Sequence, residues 1–244
     1  MKSLKFPCAS CRNECLSETL GTYLLVLIGP ASVVVTSLIS SLSSLEALAT
    51  IALVFGTTVW VVIVLFGAVS GAHINPAISV ASVFSGSFRP RMLAAYVNFQ
   101  ALGGLLAGLS LRVFFSSVSS SSDLGSTKLA VGVSPLEGLV IETAGTLIFA
   151  FSALSASSVV RGRKRQAAVV GLTLFVLILL IGPFTGASFN PIRSLGPSLF
   201  SGYYHDQYIY WIGPFLGACG AGLIFRALKS KSNVKGRQFP VCVC

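Results

Sequence analysis

For most of its length this chain does not alternate apolar and polar residues; the apolar residues run on. Six mainly apolar stretches, at about 17–39, 47–67, 92–114, 137–157, 167–184 and 208–228, approach or exceed the ~20 residues a helix needs to cross a bilayer. The fifth is at the short end. The first is too long for the core of a cleaved signal peptide and reads as a retained span.

Two polar segments break this pattern. SGAHINPAIS (Ser70–Ser79) and TGASFNPIRS (Thr185–Ser194) are near-copies, each following a long apolar stretch. Asn is a favoured N-cap, and Pro suits the first helical position, where its missing N–H leaves nothing unpaired. Each segment therefore predicts a helix start, giving short helices over 76–84 and 191–200. At 1.5 Å per residue these reach ~14–15 Å, about half of a ~30 Å hydrocarbon core. Irregular backbone at that depth is tolerated only where it is buried in protein or lines a wet cavity. Entering from opposite faces, two such pieces would meet N-terminus to N-terminus. Ordinary helix caps at the membrane surface are the alternative.

The chain is also written twice. SETLGTYLLV (17–26) matches IETAGTLIFA (141–150), and NFQALGGLLAGLSLR in the third span matches IGPFLGACGAGLIFR in the sixth. Each copy runs span, span, Asn-Pro segment, span. Three spans is an odd number, so the copies must be inverted relative to each other, an arrangement that places a working site near the bilayer midplane. The division this predicts is a tail over 1–16, a first repeat over 17–114, an outer connection over 115–136, a second repeat over 137–228 and a tail over 229–244. The fold class expected is all-α, with six spans and two re-entrant half-helices. The connection's SSVSSSSDLGSTK reads as a flexible outer loop.

Composition agrees with a membrane as solvent: 54% of the 244 residues are hydrophobic and 10% are charged, where a soluble domain carries about a quarter. The net charge of +10 is distributed by topology. With six spans, all the basic residues except Arg112, Lys128 and Arg193 fall on the side of the two termini, which the positive-inside rule makes cytoplasmic. Spread over four segments, they do not form a nucleic-acid footprint. Cys8, Cys11 and Cys15 are expected in the cytosolic tail as reduced thiols open to palmitoylation, Cys219 in the last span, and Cys242 and Cys244 at the end. PCASCRNEC has no second ligand pair, so no metal site is expected. No cofactor motif, nucleophile–base set or phosphate loop is present, which argues against an enzyme.

Arg193 lies three positions after Asn190, on the same helix face and ~4.5 Å outward from the meeting point. An arginine at such depth is tolerated facing a water-filled interior. The first copy has Ile78 there, so a single off-centre constriction is expected.

The two Asn-Pro segments, the paired Glu-Thr-x-Gly-Thr boxes and YWIGPFLGA together resemble the aquaporin, or major intrinsic protein, family over nearly the whole chain. The resemblance implies a pore centre of Asn75, Pro76, Ala77, Asn190, Pro191 and Ile192, with Ile192 replacing the family's usual alanine. It also implies a selectivity filter of Phe55, Ile178, Ala187 and Arg193. Strict water channels of the family usually carry histidine at the position of Ile178, and the glycerol branch has aspartate at the position of Ser194; this chain fits neither. The implied function is passive water conduction, excluding protons and ions, with ammonia, hydrogen peroxide or urea as further solutes. A homotetramer in the plasma membrane is implied with it. Glu18 and Glu142 are expected to accept hydrogen bonds that hold the loops, and His73 to make a structural one. The alternatives are a proton-coupled transporter using Glu18 and Glu142, and a junctional structural protein of low conductance.

Overall fold

A computed structural model describes residues 9–117 and 123–231. Eight α-helices follow one another: α1 (Ala9–Leu38), α2 (Ser44–Phe66), α3 (Pro76–Phe84), α4 (Pro90–Phe114), α5 (Pro135–Val159), α6 (Arg163–Thr185), α7 (Pro191–Ser201) and α8 (Ile209–Lys231). A 3-10 turn, Asp123–Gly125, lies between α4 and α5. No strand occurs among the described residues. Six helices are long and apolar enough to cross a membrane; α3 and α7, of 9 and 11 residues, are the half-helices.

Polar residues set the ends. Ser43 and Ser134 form capping boxes with Glu46 and Glu137 at the starts of α2 and α5, satisfying backbone donors that a helix N-terminus leaves free. Large apolar side chains such as Leu53, Leu172, Leu180 and Leu216 stay exposed on the outside, which suits hydrocarbon surroundings. The interior instead holds polar groups, including Glu18, Gln100, Glu142, Asn75 and Asn190.

The repeats are interlocked. α1 packs on α4 and α5 on α8 within each copy, but α3 packs chiefly on α8 and α7 chiefly on α4, each the third span of the opposite copy. The within-copy contacts are close because of glycine. A Cβ on Gly103 would stand 2.3 Å from the Thr19 carbonyl oxygen, and one on Gly217 the same distance from that of Thr143.

Two expectations are corrected. α1 begins at Ala9, well before the apolar run, and Cys11 and Cys15 are about 1% exposed on it. They are buried packing residues of a helix, not accessible thiols of a tail. Cys8, Cys242 and Cys244 lie outside the described residues. The outer connection is also not a plain loop at its second end. Leu124 and Thr127 are buried, and Gly125 packs on the Pro30 backbone.

Candidate functional site

Each Asn-Pro segment begins in backbone that L-residues seldom adopt. Ala72 and Ile74 in the first copy, and Ala187 and Phe189 in the second, have φ between 46 and 52°. Left-handed geometry costs a non-glycine residue roughly 1–2 kcal/mol, so something must hold it. In the first copy Glu18, fully enclosed, accepts from Ser70 Oγ at 2.7 Å, His73 N at 2.9 Å, Ile74 N at 2.7 Å and Gln100 Nε2 at 2.8 Å. In the second, Glu142 accepts from Thr185 Oγ1 at 2.7 Å and from Ser188 N and Phe189 N at 2.9 Å. Tyr96 and Tyr210 complete the brace by donating to the Ser70 and Thr185 carbonyls. Buried donors thus find acceptors, and the buried carboxylates find donors, as low-dielectric surroundings require.

At the end of each segment the asparagine does two things. Asn75 Oδ1 accepts from Ala77 N at 2.8 Å, and Asn190 Oδ1 from Ile192 N at 3.0 Å, so each caps its own half-helix. Asn75 Nδ2 donates to the Phe189 carbonyl at 2.8 Å, and Asn190 Nδ2 to the Ile74 carbonyl at 3.1 Å. The two N-termini therefore meet inside the molecule, with one amide hydrogen of each asparagine bonded to the opposite loop. Both asparagines also line a cavity of about 330 Å³.

That cavity reaches from Phe55, Ala187 and Arg193 at one end to Gly67, Arg163 and Gln166 at the other. Its walls between are largely apolar, from Leu25, Val59, Phe149, Val170 and Leu174. The loop residues Ala72, Ile74, Ala187 and Asn190 also border it. Arg193 is 4% exposed; its Nη1 donates to the Gly125 carbonyl at 2.8 Å, and its guanidinium carbon lies 4.9 Å from the centre of the Phe55 ring. A buried cation needs such partners. Phe55 has room because α1 carries Gly29, where a Cβ would stand 2.2 Å from the ring.

The sequence-derived residues divide clearly. Asn75, Asn190, Phe55, Ala187, Arg193 and His73 border the cavity. Pro76, Ala77, Pro191 and Ile192 are buried behind it in the first turns of α3 and α7. Ile178 is buried in the same apolar cluster as Phe55 and Ala187 but is not among the cavity's lining residues; Leu174, one turn before it, is. His73 Nδ1 shares a hydrogen bond with Ser79, and its ring lies edge-on to Phe88 and Tyr96. The corresponding Ser188 pairs with Ser194. No cluster of His, Cys, Asp and Glu able to hold a metal occurs among the described residues.

Sequence reasoning missed five contributors. Gly125 supplies the carbonyl that holds Arg193, and only its left-handed φ of 72° hints at a special role. Arg163 and Gln166 line the far mouth, on the same α6 face as Val170 and Leu174, a 3–4-residue spacing that was open to view. Tyr96 and Tyr210 occupy matching places in the third and sixth spans and went unremarked.

Comparison with known proteins agrees with this geometry. A family model described as "Major intrinsic protein" matches residues 5–225. The chain is 35% identical over 223 residues to "Aquaporin NIP1-1" of Arabidopsis thaliana, covering 89% of this chain and 74% of that protein. It is 34% identical over 226 residues to "Aquaporin TIP4-4" of Zea mays, covering 90% and 88%. Among solved structures, the aquaglyceroporin from Plasmodium falciparum superposes with a TM-score of 0.77 at 23% identity, covering 91% of this chain and 97% of that one. With six membrane-capable helices, two opposed half-helices and a family match over nearly its whole length, this multi-pass membrane protein belongs to the aquaporin, or major intrinsic protein, family, whose members are channels and not enzymes.

Proposed function

We propose that this chain is a passive water channel that excludes protons and ions and also passes small neutral solutes such as ammonia, hydrogen peroxide and urea. The observation that carries this reading is the crossed pair of amide bonds. Each asparagine has a second amide hydrogen left for the cavity that it lines. Two helix N-termini aim partial positive charge, about half an elementary charge each, at that place. A water held there accepts from both asparagines and donates outward, so a hydrogen-bonded file cannot relay a proton through it, and a cation meets a barrier.

Arg193 and Phe55 form the outer constriction with Ala187, and Ile178 backs it. An apolar Ile178 removes a donor that would favour water over less polar solutes. The coupled-transporter reading lacks support: Glu18 and Glu142 have their oxygens occupied by donors of the Asn-Pro segments and, for Glu18, by Gln100 of α4, and they do not border the cavity. We also place both termini on the cytoplasmic side, from the distribution of basic residues, in a homotetramer of the plasma membrane. Stopped-flow swelling of reconstituted vesicles tests the function: water permeability well above protein-free vesicles, with no proton leak, is expected. Permeability equal to that of empty vesicles would refute it.

A further inference from the structure

The second Asn-Pro segment carries an ordered chain of hydroxyls that ends on a residue outside both repeats. Ser188 has one hydroxyl hydrogen and donates it to the Asn190 carbonyl at 2.9 Å. In the Ser188–Ser194 pair the donor is therefore Ser194. With its own hydrogen committed, Ser194 accepts from Thr127 Oγ1 at 2.7 Å. All three hydroxyls belong to buried residues. The chain runs one way, from Thr127 through Ser194 and Ser188 to Asn190, and each link polarises the next.

The first copy fills the same role from within. Ser79, in the place of Ser194, donates to the Asn75 carbonyl at 3.2 Å and accepts from Gln100 Nε2 at 3.1 Å. Gln100 lies four residues after Tyr96; four residues after Tyr210 is Pro214, which has no donor. The second copy lacks its own glutamine, and the connection between the repeats supplies Thr127 instead. The connection is seated for this. Thr127 is 1% exposed, its Cα would stand 3.3 Å from a Cβ on Gly186, and its hydroxyl lies beside that of Tyr210. Two residues earlier, the Gly125 carbonyl accepts from Arg193 Nη1. One short segment thus grips adjacent residues of α7, Arg193 and Ser194.

We infer that Thr127 is a positioning residue for solute selection at Arg193. Its hydroxyl docks the connection on the first turn of α7 and so fixes the Gly125 carbonyl that holds the guanidinium. Without that hydroxyl, Ser194 loses its donor and the connection loses one of two grips. Arg193 is then freed from its place against Phe55, and a larger neutral solute enters more easily. The inference deepens the function proposed above and rests on the filter assigned there to Arg193.

The test compares wild type, Thr127→Val, Thr127→Ser and Ser194→Ala, each full-length and reconstituted in vesicles. Thr127→Val keeps the shape and removes the hydroxyl. It should raise the urea-to-water permeability ratio about five-fold, the factor one net hydrogen bond represents. Thr127→Ser, which keeps the hydroxyl, should match wild type. Ser194→Ala should raise the ratio as Thr127→Val does, and joining the two should add nothing, because they break one chain. A folded Thr127→Val with a lower unfolding temperature and an unchanged ratio overturns the proposal, since the residue then only packs. So does Thr127→Ser behaving like Thr127→Val. If Thr127→Val does not fold, an unchanged ratio in Ser194→Ala overturns it equally. A second readout needs no flux: methylglyoxal labelling of Arg193, followed by peptide mass spectrometry, should be about five-fold faster in Thr127→Val than in wild type or Thr127→Ser. Equal labelling in all three overturns the proposal, whereas a wild type that labels as expected but passes no water defeats only the function proposed above.

Discussion

The side-chain amide of Asn75 donates to the backbone carbonyl of Phe189, 114 positions later and in the other repeat, at 2.8 Å. Replacing Asn75 by Asp removes the donor and sets a carboxylate against that carbonyl. Leaving a buried group unpaired costs about 1–3 kcal/mol, so Asn75→Asp should unfold in detergent at a clearly lower temperature. The protein that survives should leak cations, because a negative charge now stands where the half-helices present positive ends. Thermal unfolding and a dye-based ion-leak assay check both outcomes. Asn190→Asp should behave alike, because its donor role mirrors the first.

The Arg193–Gly125 bond ties the connection between the repeats to the proposed constriction. Arg193→Ala removes the guanidinium that faces Phe55 and should raise urea uptake relative to water. Ile178→His, by adding a donor near the same level, should lower solute uptake while sparing water. Paired swelling and solute-flux measurements on each variant decide whether these residues act as a filter. Unchanged ratios in both would count against it.

Glu142→Gln separates a brace from a proton carrier. The carboxylate accepts three hydrogen bonds, and an amide would turn a donor toward another donor. A loss of about 1–3 kcal/mol of stability is expected, with less folded channel and unaltered conduction per folded molecule. A proton carrier would instead keep its stability and lose a gradient-dependent flux, which a fluorescence size-exclusion profile and flux under a pH step distinguish.

Ile192 fits because Gly104 is opposite it. A Cβ on Gly104 would stand 2.2 Å from Ile192 Cγ2. Gly104→Ala alone should therefore destabilise by about 1–3 kcal/mol through overpacking. Combined with Ile192→Ala the cost should largely vanish, because residues in contact couple. Thermal midpoints of the two single variants and the double variant complete the cycle; simple additivity would show that Gly104 and Ile192 are independent.

The fold was legible because its signals are repeated and chemical. Two Asn-Pro starts, two glutamates at matching depth and long apolar runs leave few arrangements open. The small residue at Gly104 could even have been paired with the large one at Ile192 from the sequence, since the sixth span has Ala218 in that place and its half-helix has Ala77. What escaped was whatever acts through backbone. The Gly125 carbonyl has no side chain to announce it, and the polar serines before it pointed to a solvated loop. Cys11 and Cys15 escaped for the opposite reason: charged neighbours marked their segment as a tail, although one face of the continuing helix is buried. Ile178 is assigned from resemblance alone, which does not say which side of a helix meets an open space.

The crossed asparagine bonds bear on how this architecture arose and how it can be divided. A single repeat has an amide with no distant carbonyl to receive it, and a carbonyl with no distant amide. Two identical ancestral subunits paired about a two-fold axis would satisfy each other in just this way before being joined into one chain. Separately expressed halves, cut within the connection, should therefore gain structure only on meeting, each serving as the mould for the other's strained loop.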